Sequence, residues 1–228
     1  MDQARRIALY GGTFDPVHLG HVEIARRVLS VFELDELLFI PAQRAPHKLE
    51  RPVTSALHRY AMLALATTDD PRLLISTFEL DARDRRYTVD TLAHFRAQFG
   101  QSTELFFIMG ADSWSEITTW RNWDRLVEIA NHIVVTRPGY DIHLEQVAGN
   151  LKQRIVDLRG LESSVAQIVN KSEGRKIYIT DLVSIAVSAT AIREAARAGR
   201  LDELRKLVPL SVANYLGKYE LYKNPNEA

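Results

Sequence analysis

Two histidines three residues apart follow a glycine pair near the start of the chain, in Gly11-Gly12-Thr13-Phe14-Asp15-Pro16-Val17-His18-Leu19-Gly20-His21. The apolar run Ile7-Ala8-Leu9-Tyr10 before them reads as a buried strand. After them Val22, Ala25, Val28, Leu29 and Phe32 mark one face of a helix. The stretch is therefore a strand-to-helix turn, in which Gly11 and Gly12 permit backbone conformations closed to other residues and let a ligand approach the main chain beside Thr13 and Phe14. A helix N-terminus offers unpaired N–H groups and a partial positive charge, so an anion is the natural guest. His18 and His21 share one side of the first helical turn. There they can donate to phosphate oxygens or take up a proton as negative charge accumulates in a transition state. The spacing fits neither GxGxxG nor GxxxxGK[ST], which argues against a nicotinamide-dinucleotide fingerprint and a P-loop. A metal reading lacks an obvious third ligand nearby and runs against the helix dipole, so no protein metal site is expected. Either histidine alone reads better as a satisfied packing residue; together with the glycines and the strand-to-helix position, the phosphate reading wins.

Far downstream, Ser188-Ala189-Thr190-Ala191-Ile192-Arg193 opens another helix. Ser188 is a good N-cap, Thr190 offers a hydroxyl in the first turn, and Arg193 one turn later can grip phosphate with two parallel N–H groups. An ordinary capped surface helix is the alternative for this segment on its own.

These groups need a scaffold, and short apolar runs recur to supply one: Leu37 to Ile40, Leu73 to Ile75, Leu105 to Met109, Ile133 to Val135 and Ile177 to Ile179 each read as a buried strand. Helical periods fall between them, over 55–67 after an N-cap at Thr54, over 88–99 before Gly100, and over 123–131. The alternation predicts an α/β fold with a doubly wound, Rossmann-like parallel sheet covered on both faces. Residues 141–175 lack a clear strand and read as a helical excursion, and 209–219 as a closing amphipathic helix. One domain spanning 1–228 is expected, with a small helical C-terminal appendage over about 188–228.

Composition narrows the partners. Lys plus Arg and Asp plus Glu each number 29 in 228 residues, so no excess basic charge draws the chain to nucleic acid or an anionic membrane. Cysteine is absent, which excludes disulfides, thiolate zinc sites and a cysteine nucleophile. No apolar window approaches the length of a membrane span, roughly 18 residues or more, and the N-terminus lacks a signal-peptide core. The expectation is a soluble cytoplasmic protein without membrane or nucleic-acid partners; an oligomer is left open.

The opening stretch resembles the signature of the HxGH nucleotidylyltransferase superfamily, and Ile185-Ala186-Val187-Ser188-Ala189-Thr190-Ala191-Ile192-Arg193 is similar to its ISxTxIR motif, with Val187 where Ile is usual. The resemblance implies that His18, His21 and Arg193 are catalytic. It further implies that ATP contacts Gly11, Gly12, Thr13, Phe14, Ser188 and Thr190, and that Mg²⁺ arrives with the ATP.

Segments that fall at strand ends or helix starts point to the acceptor. Pro41 to Lys48 (PAQRAPHK), Arg86 to Leu92 (RYTVDTL), Gly110 to Trp114 (GADSW) and Thr119 to Trp123 (TWRNW) together resemble the bacterial nicotinate-nucleotide adenylyltransferases. By that resemblance the acceptor is nicotinate mononucleotide. Trp120 would stack on its pyridine ring, the Arg121 backbone amide and the Thr88 hydroxyl would hold its carboxylate, and Lys48 would contact the acceptor. Gly110 and Asp112 would lie near the ATP ribose. Trp120 reads alternatively as an ordinary core or surface aromatic, Thr88 as an N-cap, Asp112 as a loop cap and Lys48 as a solvated charge. A sister transferase acting on nicotinamide mononucleotide, phosphopantetheine or a cytidylyl acceptor, and a non-catalytic nucleotide sensor, are the rival readings.

Overall fold

The computed structural model of the chain describes residues 4–43, 53–82, 86–136, 149–183 and 187–223. Its strands are β1 (Arg6–Gly12), β2 (Glu36–Pro41), β3 (Leu73–Ile75), β4 (Glu104–Gly110), β5 (Asn131–Val135), β6 (Ile155–Asp157) and β7 (Ile177–Thr180). They form one sheet in the order β3-β2-β1-β4-β5-β7-β6. The β1–β4, β4–β5, β5–β7 and β7–β6 pairs run parallel. All five residues of β5 and five of the seven in β4 are buried, the pattern of strands covered on both faces. The doubly wound α/β expectation therefore holds. Strand order reverses between β1 and β4, and sheets of this kind bind ligands beyond the carboxyl ends of the strands at such a reversal.

The helices are α1 (Leu19–Val31), α2 (Ala56–Thr67), α3 (Thr88–Phe99), α4 (Ala111–Ser115), α5 (Trp123–Ile129), α6 (Gly149–Lys152), α7 (Val165–Lys171), α8 (Ala189–Arg197), α9 (Leu201–Leu207) and α10 (Leu210–Lys218). The expected apolar face of α1 is buried at Val22, Ala25, Val28 and Leu29, and Phe32 just beyond it is buried too. Gly100 ends α3 at φ 78, a positive φ that glycine adopts at no steric cost.

Four expectations need correcting. The 141–175 region is not strand-free, because Ile155–Asp157 pairs in parallel with β7 and ends the sheet. Ile155 and Val156 are half-buried and Asp157 is exposed, so no buried apolar run announces them. Residues 141–148 lie outside the described residues. The cap of α2 is Ser55, whose Oγ accepts from the His58 N–H, and not Thr54. Asn131 belongs to β5 instead of ending a helix. Leu74 of β3 is exposed, since β3 is an edge strand.

The chain forms two compact units. The first comprises Met1–Gly11, Ile24–Leu38 and Arg86–Ser184; the second comprises Gly12–Glu23, Phe39–Arg85 and Ile185–Ala228. In the first, Phe32 packs edge-on against Phe106 and Tyr178, with ring centroids 6.1 and 5.6 Å away. At the start of β1 the buried Arg6 donates from Nε to Glu104 at 2.7 Å. In the second, α2 and α10 are joined by the Ser211 hydroxyl donating to the Leu65 carbonyl and by His58 Nδ1 against the Tyr215 hydroxyl at 2.8 Å.

His132, buried on β5, makes a testable contribution to stability. Its Nδ1 donates to the Ala130 carbonyl at 3.1 Å, which makes Nε2 the acceptor nitrogen of the neutral ring. Burial lowers its pKa from 6.5 to about 3, opposed by the Ala130 bond and aided by the Arg154 charge. Between those two pH values the unfolded chain takes up a proton that the folded chain refuses. The stability is therefore present above pH 6.5 and is lost as pH falls toward 3, at up to about 1.4 kcal/mol per pH unit from this group. Urea unfolding at pH 7, 6 and 5 should show a flatter pH dependence in His132→Asn, whose amide can still donate to Ala130. Equal slopes in the two proteins would contradict this assignment.

Candidate active site

The second unit holds the HxGH turn. The backbone N–H groups of His21 and Val22 both point to the His18 carbonyl, at 2.9 and 3.2 Å, so His18 is the cap of α1 and His21 lies in its first turn. The imidazoles stack with centroids 3.6 Å apart and planes 19° from parallel. Each Nδ1 accepts from the other residue's backbone N–H at 3.3 Å. In a neutral imidazole that bond assigns the proton to Nε2. Both rings are thereby prepared as Nε2 donors, and only 6% of His18 is exposed. Gly20 makes the stack possible, since a Cβ there would stand 3.2 Å from Cε1 and Nδ1 of His18.

The reason for the glycine pair differs from the sequence expectation. Neither Gly11 nor Gly12 has a positive φ; the residue in the left-handed region is Phe14, at φ 50. What the glycines provide is room. A Cβ on Gly12 would come 2.8 Å from the Phe14 ring. In the first unit, one on Gly11 would come 3.2 Å from the Phe107 ring. Phe14 is buried and sits edge-on to His21 at 5.0 Å and to Phe39 at 5.4 Å, bracing the outer imidazole.

Arg193 reaches the same turn. From α8 its Nη1 donates to the Asp15 carbonyl at 2.7 Å and its Nη2 to the Thr190 hydroxyl at 3.2 Å. Ser188 caps α8, its Oγ accepting from the Ala191 N–H at 3.2 Å. The second motif is thus fastened to the first through a backbone carbonyl three residues before His18. Ile185 and Ala186 lie outside the described residues, as does Lys48.

Three residues that drew no role in the sequence organise this turn. Asp15 is buried, with the Tyr222 hydroxyl donating to its Oδ1 at 2.6 Å and the Thr54 N–H to its Oδ2 at 3.4 Å. Arg59 is 1% exposed and donates to four carbonyls: Thr54 at 2.9 Å, Thr13 at 2.8 Å, Ala42 at 2.7 Å and Gln43 at 3.2 Å. Burial pushes its pKa below the usual arginine value, with Asp15 acting in the other direction. Asp15 had a signal, since it sits inside the motif. Arg59 and Tyr222 had none, because each looks like a surface residue of an amphipathic helix or a tail.

The first unit holds Gly110 and Asp112, expected near the ATP ribose, and the expected acceptor residues Thr88, Trp120 and Arg121. Gly110 ends β4 and caps α4, where a Cβ would collide with the Asp112 carboxylate; Asp112 lies in the first turn of α4. Thr88 is the first residue of α3, and Tyr87 occupies the cap position expected of Thr88. The Trp120 N–H bonds to the Ile117 carbonyl at 3.0 Å, and Asn122 at φ 50 reverses the chain immediately afterwards. Arg121 lays its guanidinium over the Tyr87 ring, 4.6 Å from the centroid, which brings the Trp120–Arg121 turn beside the α3 N-terminus carrying Thr88. Among the described residues no group of three or more His, Cys, Asp and Glu side chains could hold a metal ion. No helix among them is long and apolar enough to cross a membrane.

The turn after the first strand of this doubly wound sheet thus carries stacked histidines, and an arginine from a late helix bonds the same turn through the Asp15 carbonyl. Residues 9–195 match the family model described as cytidylyltransferase-like. Among curated relatives, a "Probable nicotinate-nucleotide adenylyltransferase" of Thermoanaerobacter sp. (strain X514) is 40% identical over 228 residues, covering 100% of this chain and 99% of the relative. One of the same name from Thermus thermophilus is 38% identical over 218 residues, 96% of this chain and 100% of the relative. The solved Plasmodium falciparum nicotinic acid mononucleotide adenylyltransferase complexed with NaAD superposes with TM-score 0.70 over 96% of this chain and 97% of that one. At 16% identity that match speaks to the fold alone. The chain belongs to the nicotinate-nucleotide adenylyltransferase family of cytidylyltransferase-like proteins.

Proposed function

We propose that this protein transfers the adenylyl group of ATP to nicotinate mononucleotide, forming nicotinate adenine dinucleotide and pyrophosphate. The observation that carries the chemistry is the stacked His18–His21 pair, both rings set as Nε2 donors, with Arg193 anchored to the same turn. The acceptor follows from the family, whose curated members carry that name across nearly the whole of this chain.

The phosphate of nicotinate mononucleotide attacks the α-phosphorus of ATP in line. One phosphorus–oxygen bond forms to the acceptor oxygen as the bond to the β-phosphate oxygen breaks, and pyrophosphate leaves. The attacking phosphate is already ionised, so no protein base or nucleophile is needed, and catalysis reduces to positioning and charge stabilisation. His18 and His21 donate to the phosphoryl oxygens as negative charge shifts toward the leaving group. Arg193 adds a fixed positive charge, and the α1 N-terminus favours the anion. Gly11, Gly12, Thr13, Phe14, Ser188 and Thr190 shape the nucleotide side, and Gly110 and Asp112 contact the nucleotide near its ribose. Mg²⁺, a hard cation that keeps waters and takes few protein ligands, would accompany the ATP and neutralise charge on its phosphates. Lys48, Thr88, Trp120 and Arg121 receive the acceptor, with Trp120 stacked on the pyridine ring and the Arg121 amide and Thr88 hydroxyl on its carboxylate. A cytoplasmic location, without nucleic-acid or membrane partners, belongs to the same reading.

A pyrophosphate-release assay tests it, run with ATP and Mg²⁺ and supplied in turn with nicotinate mononucleotide, nicotinamide mononucleotide, phosphopantetheine and a cytidylyl acceptor with CTP. Turnover with the first acceptor above all others is the expected result. Preference for another acceptor would replace the substrate, and ATP binding without turnover on any would indicate a nucleotide sensor. Within the same assay Trp120→Ala should raise KM for nicotinate mononucleotide by about tenfold or more, the worth of one aromatic stack on a base-like ring. KM for ATP should stay unchanged, and an equal rise in both would remove the stacking role.

A further inference from the structure

Asp15 ties the HxGH turn together. Its carbonyl takes the Arg193 bond, its carboxylate takes bonds from Tyr222 and Thr54, and it stands between Phe14 in the left-handed region and the residues leading to His18. The shortest of its carboxylate bonds is the 2.6 Å one from Tyr222, a residue 207 positions away. Tyr222 lies past the end of α10 in a tight hook. The Leu221 N–H returns to the Leu216 carbonyl at 3.1 Å and the Lys223 N–H to the Glu220 carbonyl at 3.3 Å. Two residues of the hook, Glu220 at φ 52 and Tyr222 at φ 67, are non-glycine residues in the left-handed region. Such conformations are strained and persist where the surroundings enforce them. Here the hook delivers a phenol to a buried carboxylate: Tyr222 is 5% exposed.

We propose that Tyr222 is a positioning residue for nucleotidyl transfer: its hydroxyl fixes Asp15, and through Asp15 it holds the His18–His21 stack and Arg193 in register. Burial pushes its phenol well above the usual tyrosine range, reinforced by Asp15, so the hydroxyl stays protonated as a donor throughout the working pH range. A tail anchor would need only the ring. A positioning role needs the hydroxyl.

The inference rests on the adenylyl-transfer reading for its kinetic consequence but not for its structural one. Tyr222→Phe keeps the ring and removes the hydroxyl. With ATP and nicotinate mononucleotide it should lower kcat by about ten- to a hundredfold, the scale of a small misplacement of reacting groups, while both KM values stay within about twofold. In ¹⁵N-histidine NMR spectra without substrates, the imidazole signals of His18 and His21, assigned by single substitution, should move. Those of His94 and His132 should not. If the wild-type protein releases no pyrophosphate with any acceptor, the function is wrong and the NMR comparison alone decides this inference. Unmoved His18 and His21 signals overturn it, as does an unchanged kcat in an active enzyme. Should Tyr222→Phe fail to fold, Asp15→Asn retains Tyr222 but weakens the shared bond. The same two measurements are then made on it, and unmoved signals or an unchanged kcat again overturn the proposal.

Discussion

Replacing His18 or His21 by alanine lowers kcat for pyrophosphate release by about two to three powers of ten, the cost of removing one preorganised donor from a charge-developing transition state. The magnitude is set by how little the rings can adjust. Each Nδ1 is tied to the other residue's backbone N–H, the rings stack at 3.6 Å, and Phe14 closes one side. Water filling the place of a lost imidazole would have to order itself at the moment of reaction, which the fixed ring avoids. The two losses should not add in the double variant, because removing one ring also frees the other from its stack. Steady-state kinetics on folded protein, with circular dichroism as the check on folding, measure the effect. Turnover near the wild-type rate in either alanine variant would strip that histidine of its role.

Replacing Arg59 by methionine should destabilise the protein by about 3 kcal/mol, since buried carbonyls left without a donor cost about 1–3 kcal/mol each before any water reaches them. Methionine keeps much of the arginine stem's volume, so the change isolates the guanidinium. That one group joins the turn after β1 (Thr13), the segment after β2 (Ala42 and Gln43) and the residue before the α2 cap (Thr54). For a chain of this size the melting temperature should fall by about 6–12 °C. Arg59→Lys should recover only part of the loss, because an ammonium on a flexible stem cannot span four carbonyls as a planar fork does. Calorimetry on the three proteins decides it, and a methionine variant melting with the wild type would show that the four bonds are replaceable by solvent.

Whether an element is legible in the sequence depends on whether its cause is local. The strands β1, β4 and β5 are visible because a strand covered on both faces is apolar along most of its length. The α1 face is visible because a half-buried helix repeats at its own period. That His18 and His21 meet at the start of α1 follows from their spacing, although His18 is its cap and only His21 lies in the first turn, and the cap of α8 follows from Ser188. β6 is invisible for the converse reason: three half-buried or exposed residues at a sheet edge carry no pattern, and only pairing with β7 makes them a strand. The glycine pair suggests backbone freedom, yet what it supplies is space beside rings that the residues at 11 and 12 do not reveal.

By itself, then, the sequence determined the class of fold, the strand-to-helix turn with its paired imidazoles and the capped helix that carries Arg193, because hydrophobic periodicity, capping and motif spacing are short-range properties. Only the tertiary structure decided which proton each imidazole carries, that Arg193 clasps the carbonyl of Asp15, and that Arg59 and Tyr222 hold the turn from within. Most of those bonds join residues dozens to hundreds of positions apart. A charged or phenolic side chain shows its purpose only once folding has removed it from water and left it a single set of partners.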